Sequence, residues 1–337
     1  MAKSERQVAI WREKMKAFQH KNATSVREAV TLLAQYQGKA LPIAAGSDLL
    51  GEMKDWIETP EVVVNLKTIP GLNKIQQKAN VVSIGALAPI AEVAENQLLG
   101  SHFPVLVEAA AVIASPQIRN VGTVGGNLCQ RPRCWYYRSS LQCLRKGGKV
   151  CFTVAGESRY HAILGGGPSY IVHPSDLAPA LISLDAKVHI AGPHGDRTIP
   201  LEQFFVLPSV NVRRENILKP DEILTEIVIP LPAAETRSTY WKQMERDAWD
   251  FALVSVAAAI HQKDGKVDQA RIVMGGVAPV PWRSREAEAA LIGKPLDAAS
   301  AAQAADEAMK PARPLRDNAY KVDLSKAVIK GALLRLA

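Results

Sequence analysis

The chain has 337 residues, of which 47% are apolar, 22% charged and 6% aromatic, the profile of a globular protein large enough for two or three hydrophobic cores. No apolar run approaches the ~18 residues that span a bilayer, and Met1 to Lys14 lack the apolar centre of a secretory signal. A cytoplasmic protein with no membrane span is therefore expected, export alongside a signal-bearing partner remaining compatible. Lysine and arginine outnumber aspartate and glutamate 41 to 33, a net charge of +8, which suits an anionic cofactor, an acidic partner or nucleic acid.

Residues 1–14 read as an N-terminal extension, with Met15 a second plausible start. A helix is expected from Ser25, where Glu28 three residues on makes a capping box. Val26, Val30, Leu33 and Ala34 give its apolar face, and Gly38 ends it. Strands follow at Leu41 to Ala44 and Val62 to Leu66, closing a first lobe over residues 15–70. The second lobe, residues 71–235, reads as a strand over Val81 to Ala88 and an apolar helix over Phe103 to Ser115. Then come a glycine-rich loop and a cysteine-bearing insertion at about 128–170, and strands near Ile171, at Ala186 to Ala191 and at Ile223 to Ile229. The last region, residues 236–337, carries strands at Leu253 to Ile260 and Ala270 to Val277 about the turn Lys263-Asp264-Gly265, then helices over Arg285 to Leu291 and Asp297 to Met309.

Two turns have the composition to hold phosphate. Gly122-Thr123-Val124-Gly125-Gly126-Asn127 and Ala45-Gly46-Ser47-Asp48 both offer small residues whose backbone N–H groups can converge on an anion. Neither is the G-x-G-x-x-G turn of a dinucleotide-binding Rossmann unit, so a flavin would be held by another fold.

The four cysteines of the chain, Cys129, Cys134, Cys143 and Cys151, fall within 23 residues. Their C-x4-C-x8-C-x7-C spacing is neither that of a zinc ribbon nor that of a bacterial ferredoxin. A reducing compartment disfavours disulfides, so metal binding is expected, iron–sulfur ahead of zinc. Arg131, Arg133, Arg138, Arg145, Lys146 and Lys149 crowd the segment beside Trp135, Tyr136 and Tyr137. Basic residues around thiolates account for that charge, although the mixture also has the look of a nucleic-acid patch. The alternative from another class is a metal-binding or nucleic-acid-binding module using the segment as a zinc knuckle. A self-contained flavin oxidoreductase is a further alternative, but no acid–base residue presents itself.

Ala45-Gly46-Ser47-Asp48-Leu49-Leu50, Thr123-Val124-Gly125-Gly126-Asn127 and His173-Pro174-Ser175-Asp176-Leu177, followed by Lys242-Gln243, Arg246, Asp250 and Ala252, together resemble the FAD-binding (medium) subunit of molybdenum hydroxylases. This is the xanthine, aldehyde and carbon monoxide dehydrogenase group, and the resemblance spans Met15 to the C-terminus. Ala45 and Ser47 stand where glycine and threonine are commoner. The resemblance implies an α+β fold: a two-lobed FAD-binding domain of the PCMH/vanillyl-alcohol-oxidase-like kind, plus a C-terminal α/β domain of the carbon monoxide dehydrogenase flavoprotein type. It implies FAD, with Ala44, Ala45, Gly46, Ser47, Asp48, Gly125, Gly126 and Asn127 wrapping the diphosphate and ribityl chain. Leu49, Ile113, Ala114 and Thr123 complete that set. Asp176 would accept from the adenosine portion, Ile223 or Leu224 would pack near the rings, and Lys242 would approach the flavin. No catalytic residue is expected in this chain, because substrate oxidation belongs to a molybdenum-cofactor large subunit. Electrons would arrive through a [2Fe–2S] small subunit and leave to an external acceptor.

One branch of the family, including 4-hydroxybenzoyl-CoA reductase and bacterial aldehyde oxidoreductases, carries a [4Fe–4S] insertion at this place. Cys134, Cys143 and Cys151 fit three of its ligand positions. The relatives' fourth ligand comes later, where Tyr160 to Tyr170 hold no cysteine, which leaves Cys129 as the candidate or else a three-cysteine cluster. The seven histidines are scattered with no metal-spaced pair, and His173 and His194 are expected to be structural.

Overall fold

The computed structural model describes residues 15–337; the expected extension, residues 1–14, lies outside the described residues. The first lobe contains β1 (Gln19–Asn22), α1 (Val26–Gln35), β2 (Ala40–Ile43), α2 (Leu49–Lys54) and β3 (Val62–Asn65). Its three strands form a parallel sheet in the order β1-β3-β2. Parallel neighbours need a crossover, and α2 provides it between β2 and β3, while α1 connects β1 to β2 across the sheet. Ser25 caps α1, its Oγ accepting from the Glu28 N–H at 3.1 Å. The reciprocal half of the expected capping box differs: the Glu28 carboxylate accepts from the N–H and hydroxyl of Thr24, at 2.7 and 2.6 Å. Ala29, Val30 and Leu33 bury their face against Val62 and Val64.

The second lobe holds β4 (Ile75–Lys78) and β5 (Val81–Gly85), then α3 (Ile90–Glu95), α4 (Gln97–His102), α5 (Pro104–Ala111), α6 (Pro116–Val121) and α7 (Val124–Cys129). After the cysteine segment come α8 (Leu177–Ser183), β6 (Lys187–Ala191), β7 (Arg197–Pro200) and β8 (Ile223–Pro230). The antiparallel sheet runs β4-β5-β8-β6-β7, and Val82, Ile84, Val188, Ile227 and Ile229 pack with Leu106, Leu128 and Leu181 of the helices.

Two expectations change here. The glycine-rich loop is not an open turn, because from Val124 it winds into α7, with the Thr123 hydroxyl accepting from the Gly126 N–H at 3.2 Å. Ile171 lies in an irregular segment rather than a strand, where the Ala162 N–H bonds the Tyr170 carbonyl and the His173 N–H bonds that of Ala278.

The C-terminal unit has β9 (Thr236–Gln243), β10 (Val254–Lys263), β11 (Lys266–Gly275) and β12 (Trp282–Arg283), in the order β12-β11-β10-β9. Then follow α9 (Arg285–Leu291), α10 (Ala298–Met309) and α11 (Tyr320–Leu334). Alternation along β10 explains its apolar stretch, broken only by buried Ser255. Val254, Val256, Ala258 and Ile260 face α9–α11, while Ala257 faces the second lobe's core together with Val273 of β11. A sheet covered on both faces has no polar side to display.

Candidate functional site

The three units meet at a cavity of about 490 Å³, a size that accommodates much of a cofactor. The run Ala44–Leu49 forms one wall; Ile113, Ala114, Thr123, Gly126 and Asn127 form a second; Asp176 and Lys242 close the end toward β9. Three expected residues are absent from the lining. Gly125 turns its N–H onto the Ala86 carbonyl at 2.7 Å, and a Cβ there would meet the Ala86 Cβ at 2.9 Å. That glycine serves close packing of α7 on β5, not access to a ligand. Ile223 and Leu224 begin the central strand β8 and are buried in the cores of the first and second lobes, respectively.

The Ala45–Ser47 turn leaves β2 with Gly46 at φ +78°. Among the described residues, the backbone N–H groups of Ala45, Gly46 and Ser47 donate to no protein acceptor. They also line the cavity. Convergent free donors on a small-residue turn are an anion cradle.

At the other end lies a buried polar triad. Lys242 Nζ sits 2.9 Å from Asp176 Oδ2 and donates to the Val112 carbonyl at 3.2 Å. The Tyr240 hydroxyl donates to Asp176 Oδ1 at 2.6 Å. Tyr240 and Lys242 reach the same acid because they are two apart on β9 and point to one face, while Trp241 between them packs against α11. Although β9 is the sheet's edge, the Lys242 side chain is only 2% exposed, so it is not a solvated surface charge. Both Asp176 oxygens are engaged within the protein, which recasts the expected contact of Asp176 with adenosine as an anchoring of Lys242.

Ala114 (φ +46°) and Trp249 (φ +58°) both hold left-handed backbone and both line the cavity. The Trp249 N–H donates to the Ala114 carbonyl at 3.2 Å, which ties the C-terminal unit to the second lobe across the opening. Non-glycine residues at positive φ gather where a site over-determines them. A second cavity, about 340 Å³, shares Arg133, Pro174, Asp176, Asp250 and Phe251 with the first and extends toward Cys134.

The four arginines of the cysteine segment pair with carboxylates of the protein, whereas Lys146 donates to the Ser139 carbonyl and Lys149 is exposed. Asp48 receives the Arg131 N–H at 2.7 Å and Arg138 Nη2 at 2.7 Å, and pairs with Arg133. Arg131 also pairs with Glu58 and Glu215, and buried Arg145 with Glu215. Burial alone would raise the Asp48 pKa, but Arg133, Arg138 and the Arg131 N–H outweigh it and hold the carboxyl below its ordinary value.

Neighbouring Glu52 behaves oppositely. Burial pushes its pKa from 4.5 up to about 7, against the pull of Arg131 and with Asp48 adding to the rise. The Tyr137 hydroxyl donates to it at 2.7 Å. A carboxyl raised on folding favours the native state fully below its unfolded value of 4.5, and that advantage is lost as the pH rises through about 7. The Asp48 contribution is lost only at lower pH, as the pH falls below 3.8. Buried His161 and His173, whose pKa values burial lowers to about 4 and about 3, act with the opposite sign to Glu52 over the same range. Glu52 alone is therefore expected to lower stability by at most ~3 kcal/mol between pH 5 and pH 8, read in urea unfolding as the difference between the slopes of the parent and Glu52→Gln. An equal slope in the variant would place its origin elsewhere.

Cys134, Cys143 and Cys151 are electrostatic neighbours. Cys129, the expected fourth ligand, ends α7, lines the first cavity and packs against the second lobe's core, and burial alone pushes its thiol up to about 12. At Cys134, burial pushes the thiol up to about 11, opposed by the N–H groups of Tyr137 and Tyr136 that face its sulfur. The Cys143 carbonyl accepts from the N–H of Lys146 and Gly148 at 2.9 and 3.0 Å. The turn needs its glycines: Gly147 sits at φ +93°, and a Cβ at Gly148 would fall 1.7 Å from the Gln142 carbonyl oxygen.

Among the described residues no three His, Cys, Asp or Glu side chains converge tightly enough for a single ion, which counts against a zinc knuckle. Beside the segment, Lys321 is fully buried, donating to the carbonyls of Tyr160 and Gly276 at 3.1 and 2.7 Å. It has no carboxylate partner among the described residues, an arrangement that fits an anionic centre nearby.

Sequence reasoning missed Glu52, Tyr240, Trp249 and His161. Tyr240 had a readable signal in its two-residue spacing from Lys242; the others are brought in by long-range packing.

A cofactor-sized cavity among a parallel lobe, an antiparallel lobe and a third sheet, with an anion cradle at one end and a buried cation at the other, defines a dinucleotide-type cofactor protein outside the Rossmann class. Residues 16–232 match the family described as the FAD binding domain in molybdopterin dehydrogenase, and residues 239–336 match the CO dehydrogenase flavoprotein C-terminal domain. The chain is 37% identical to the aldehyde oxidoreductase FAD-binding subunit PaoB of Escherichia coli, covering 95% of this chain and 98% of that one. It is 29% identical to the carbon monoxide dehydrogenase medium chain of Hydrogenophaga pseudoflava, covering 94% and 96%. The solved structure of carbon monoxide dehydrogenase from H. pseudoflava, a form lacking the Mo-pyranopterin moiety, superimposes with a TM-score of 0.76 at 28% identity over 95% of this chain and 97% of the other. The chain belongs to the FAD-binding medium subunits of the molybdenum hydroxylase family. It is thus an oxidoreductase subunit with the expected α+β architecture. No helix among the described residues is long and apolar enough to cross a membrane.

Proposed function

We propose that this chain is the electron-transfer subunit of a heterotrimeric molybdenum hydroxylase, acting in the cytoplasm. It would work with a large molybdenum-cofactor subunit and a small [2Fe–2S] subunit, and deliver electrons to an external acceptor. The observation that carries this reading is the cavity bounded by unpartnered N–H groups at Ala45–Ser47 and by the Lys242–Asp176 pair. FAD, when bound, accepts electrons singly from iron–sulfur centres and releases them in pairs. The protein's part is to bind, orient and shield. The Ala45–Ser47 turn takes the diphosphate, Ile113, Ala114 and Trp249 supply apolar contact, and Lys242, fixed by Asp176, supplies a positive charge that favours the more anionic reduced state. The reading divides the chain into an FAD-binding unit, residues 15–235, and a C-terminal unit, residues 236–337. The end of β8 at Pro230, the start of β9 at Thr236 and the two matched segments support that division.

Gly46→Val is expected to empty the site: its Cβ would lie 2.9 Å from Leu50 Cδ1 and 3.0 Å from Ile43 Cδ1, at a φ that β-branched residues avoid. Flavin released by denaturation should fall severalfold relative to the parent chain; equal flavin content would remove the turn from the site.

The same reading gives the cysteine segment a [4Fe–4S] cluster held by Cys134, Cys143 and Cys151. Support comes from the neighbouring thiols, the N–H groups facing Cys134 and the buried Lys321. The 37% identity to an aldehyde oxidoreductase subunit favours an aldehyde-oxidising complex. The electron-transfer role is tested by mixing the FAD-loaded chain anoxically with reduced partner subunits. Bleaching of the flavin band is expected, and an unbleached flavin in an assembled complex would contradict the role.

A further inference from the structure

We propose that Ser175 is a positioning residue of the flavin site, fixing the side-chain amide of Asn127 so that its nitrogen, a donor, faces the bound cofactor. The inference rests on the reading of the first cavity as an FAD site. Asn127 belongs to α7, lines that cavity and is 8% exposed. Ser175 immediately precedes Asp176 at the start of α8, 48 residues further along, and is buried. Its Oγ lies 2.5 Å from Asn127 Oδ1 and accepts from the Ala178 N–H at 3.0 Å.

The hydroxyl meets the oxygen end of the amide, not the nitrogen end. A separation of 2.5 Å belongs to O–H···O bonds and is too short for N–H···O. The hydroxyl has one proton, and among the described residues its only acceptor is Asn127 Oδ1. Turning the amide over would leave that proton buried and unpaired, which is costly. Asn127 Nδ2 therefore points away from Ser175. It donates to no protein acceptor among the described residues, and it is not sealed off from open space. In a side chain that lines the cavity, this is a donor set in advance for an acceptor oxygen of the cofactor.

Ser175 does not line the first cavity itself, so it acts through Asn127. Its hydroxyl, and not the Asp176 carboxylate, takes a free N–H at the start of α8. Asp176 is thereby left to bond Tyr240 and Lys242. Two consecutive residues thus fix two polar groups of one cavity, a neutral donor at Asn127 and a cation at Lys242.

The test titrates FAD into the flavin-depleted full chain and reads the dissociation constant, with urea unfolding alongside. Ser175→Ala should weaken FAD binding about threefold to tenfold, the effect of one hydrogen bond. Ser175→Thr, which restores the hydroxyl, should recover much of that loss. Alanine also removes a helix cap, so the same substitution is made in an Asn127→Ala background. There it should still lower stability but cost no further affinity, because the residue it acts through is gone. A full additional loss of affinity in that background overturns the proposal by tracing the effect to the cap, and so does unchanged affinity in Ser175→Ala. Should Ser175→Ala fail to fold, Asn127→Asp decides, since it keeps the oxygen that Ser175 bonds and replaces the donor by an acceptor. Affinity weaker than the parent's by about tenfold or more is expected, and parent-like affinity overturns the proposal. A folded parent chain that takes up no FAD would instead overturn the reading of the cavity itself, and the proposal with it.

Discussion

Replacing Asp176 with alanine is expected to remove roughly 3–5 kcal/mol of stability and most of the bound flavin. The substitution leaves Lys242 charged, 2% exposed and without an anion, and deprives the Tyr240 hydroxyl of the oxygen it donates to at 2.6 Å. Breaking one side of a buried pair costs far more than replacing both sides by apolar groups. The double variant Asp176→Ala/Lys242→Met should therefore regain much of the stability while the flavin's reduction potential falls, since the cation is gone. Denaturant unfolding and flavin content after gel filtration separate the two effects. Wild-type values of both in Asp176→Ala would show that the pair anchors nothing.

Serine at Cys134 is the second large effect. Its sulfur is the point where two backbone N–H groups and His161 converge, so its loss should abolish the iron–sulfur EPR signal and leave the flavin in place. On the proposed reading of a cluster held by Cys134, Cys143 and Cys151, serine at Cys129, which lines the flavin cavity, should leave the iron–sulfur signal unchanged. A cluster lost from Cys129→Ser and kept in Cys134→Ser would invert the assignment.

Much of the fold was readable where local chemistry and burial agree. Ser25 announces α1, and the largely apolar run Val254 to Ile260, interrupted only by Ser255, announces a strand covered on both faces. Strands β1 (QHKN) and β4 (IQQK) were not readable, because their mostly exposed side chains carry no apolar alternation. Helix α11 was hidden by its buried Lys321 and Ser325, polar residues at positions that a sequence pattern assigns to the surface.

At the site, the small-residue turn Ala45–Ser47 was legible because few side chains tolerate a close anion and a positive φ. The arginines were not. Arg138 meets Asp48 across 90 positions and Arg145 meets Glu215 across 70, so the arginines of a segment that reads as a basic surface patch are neutralised by distant acids. The same long-range folding brings His161, 27 residues on, to Cys134.

The most direct measurement is an anoxic ultraviolet–visible spectrum of the purified chain before and after dithionite. A flavin spectrum that bleaches on reduction, overlaid by a broad iron–sulfur absorption that bleaches with it, is the expected result. A folded chain with no visible absorption that also fails to take up added FAD would contradict the assignment of the cavity.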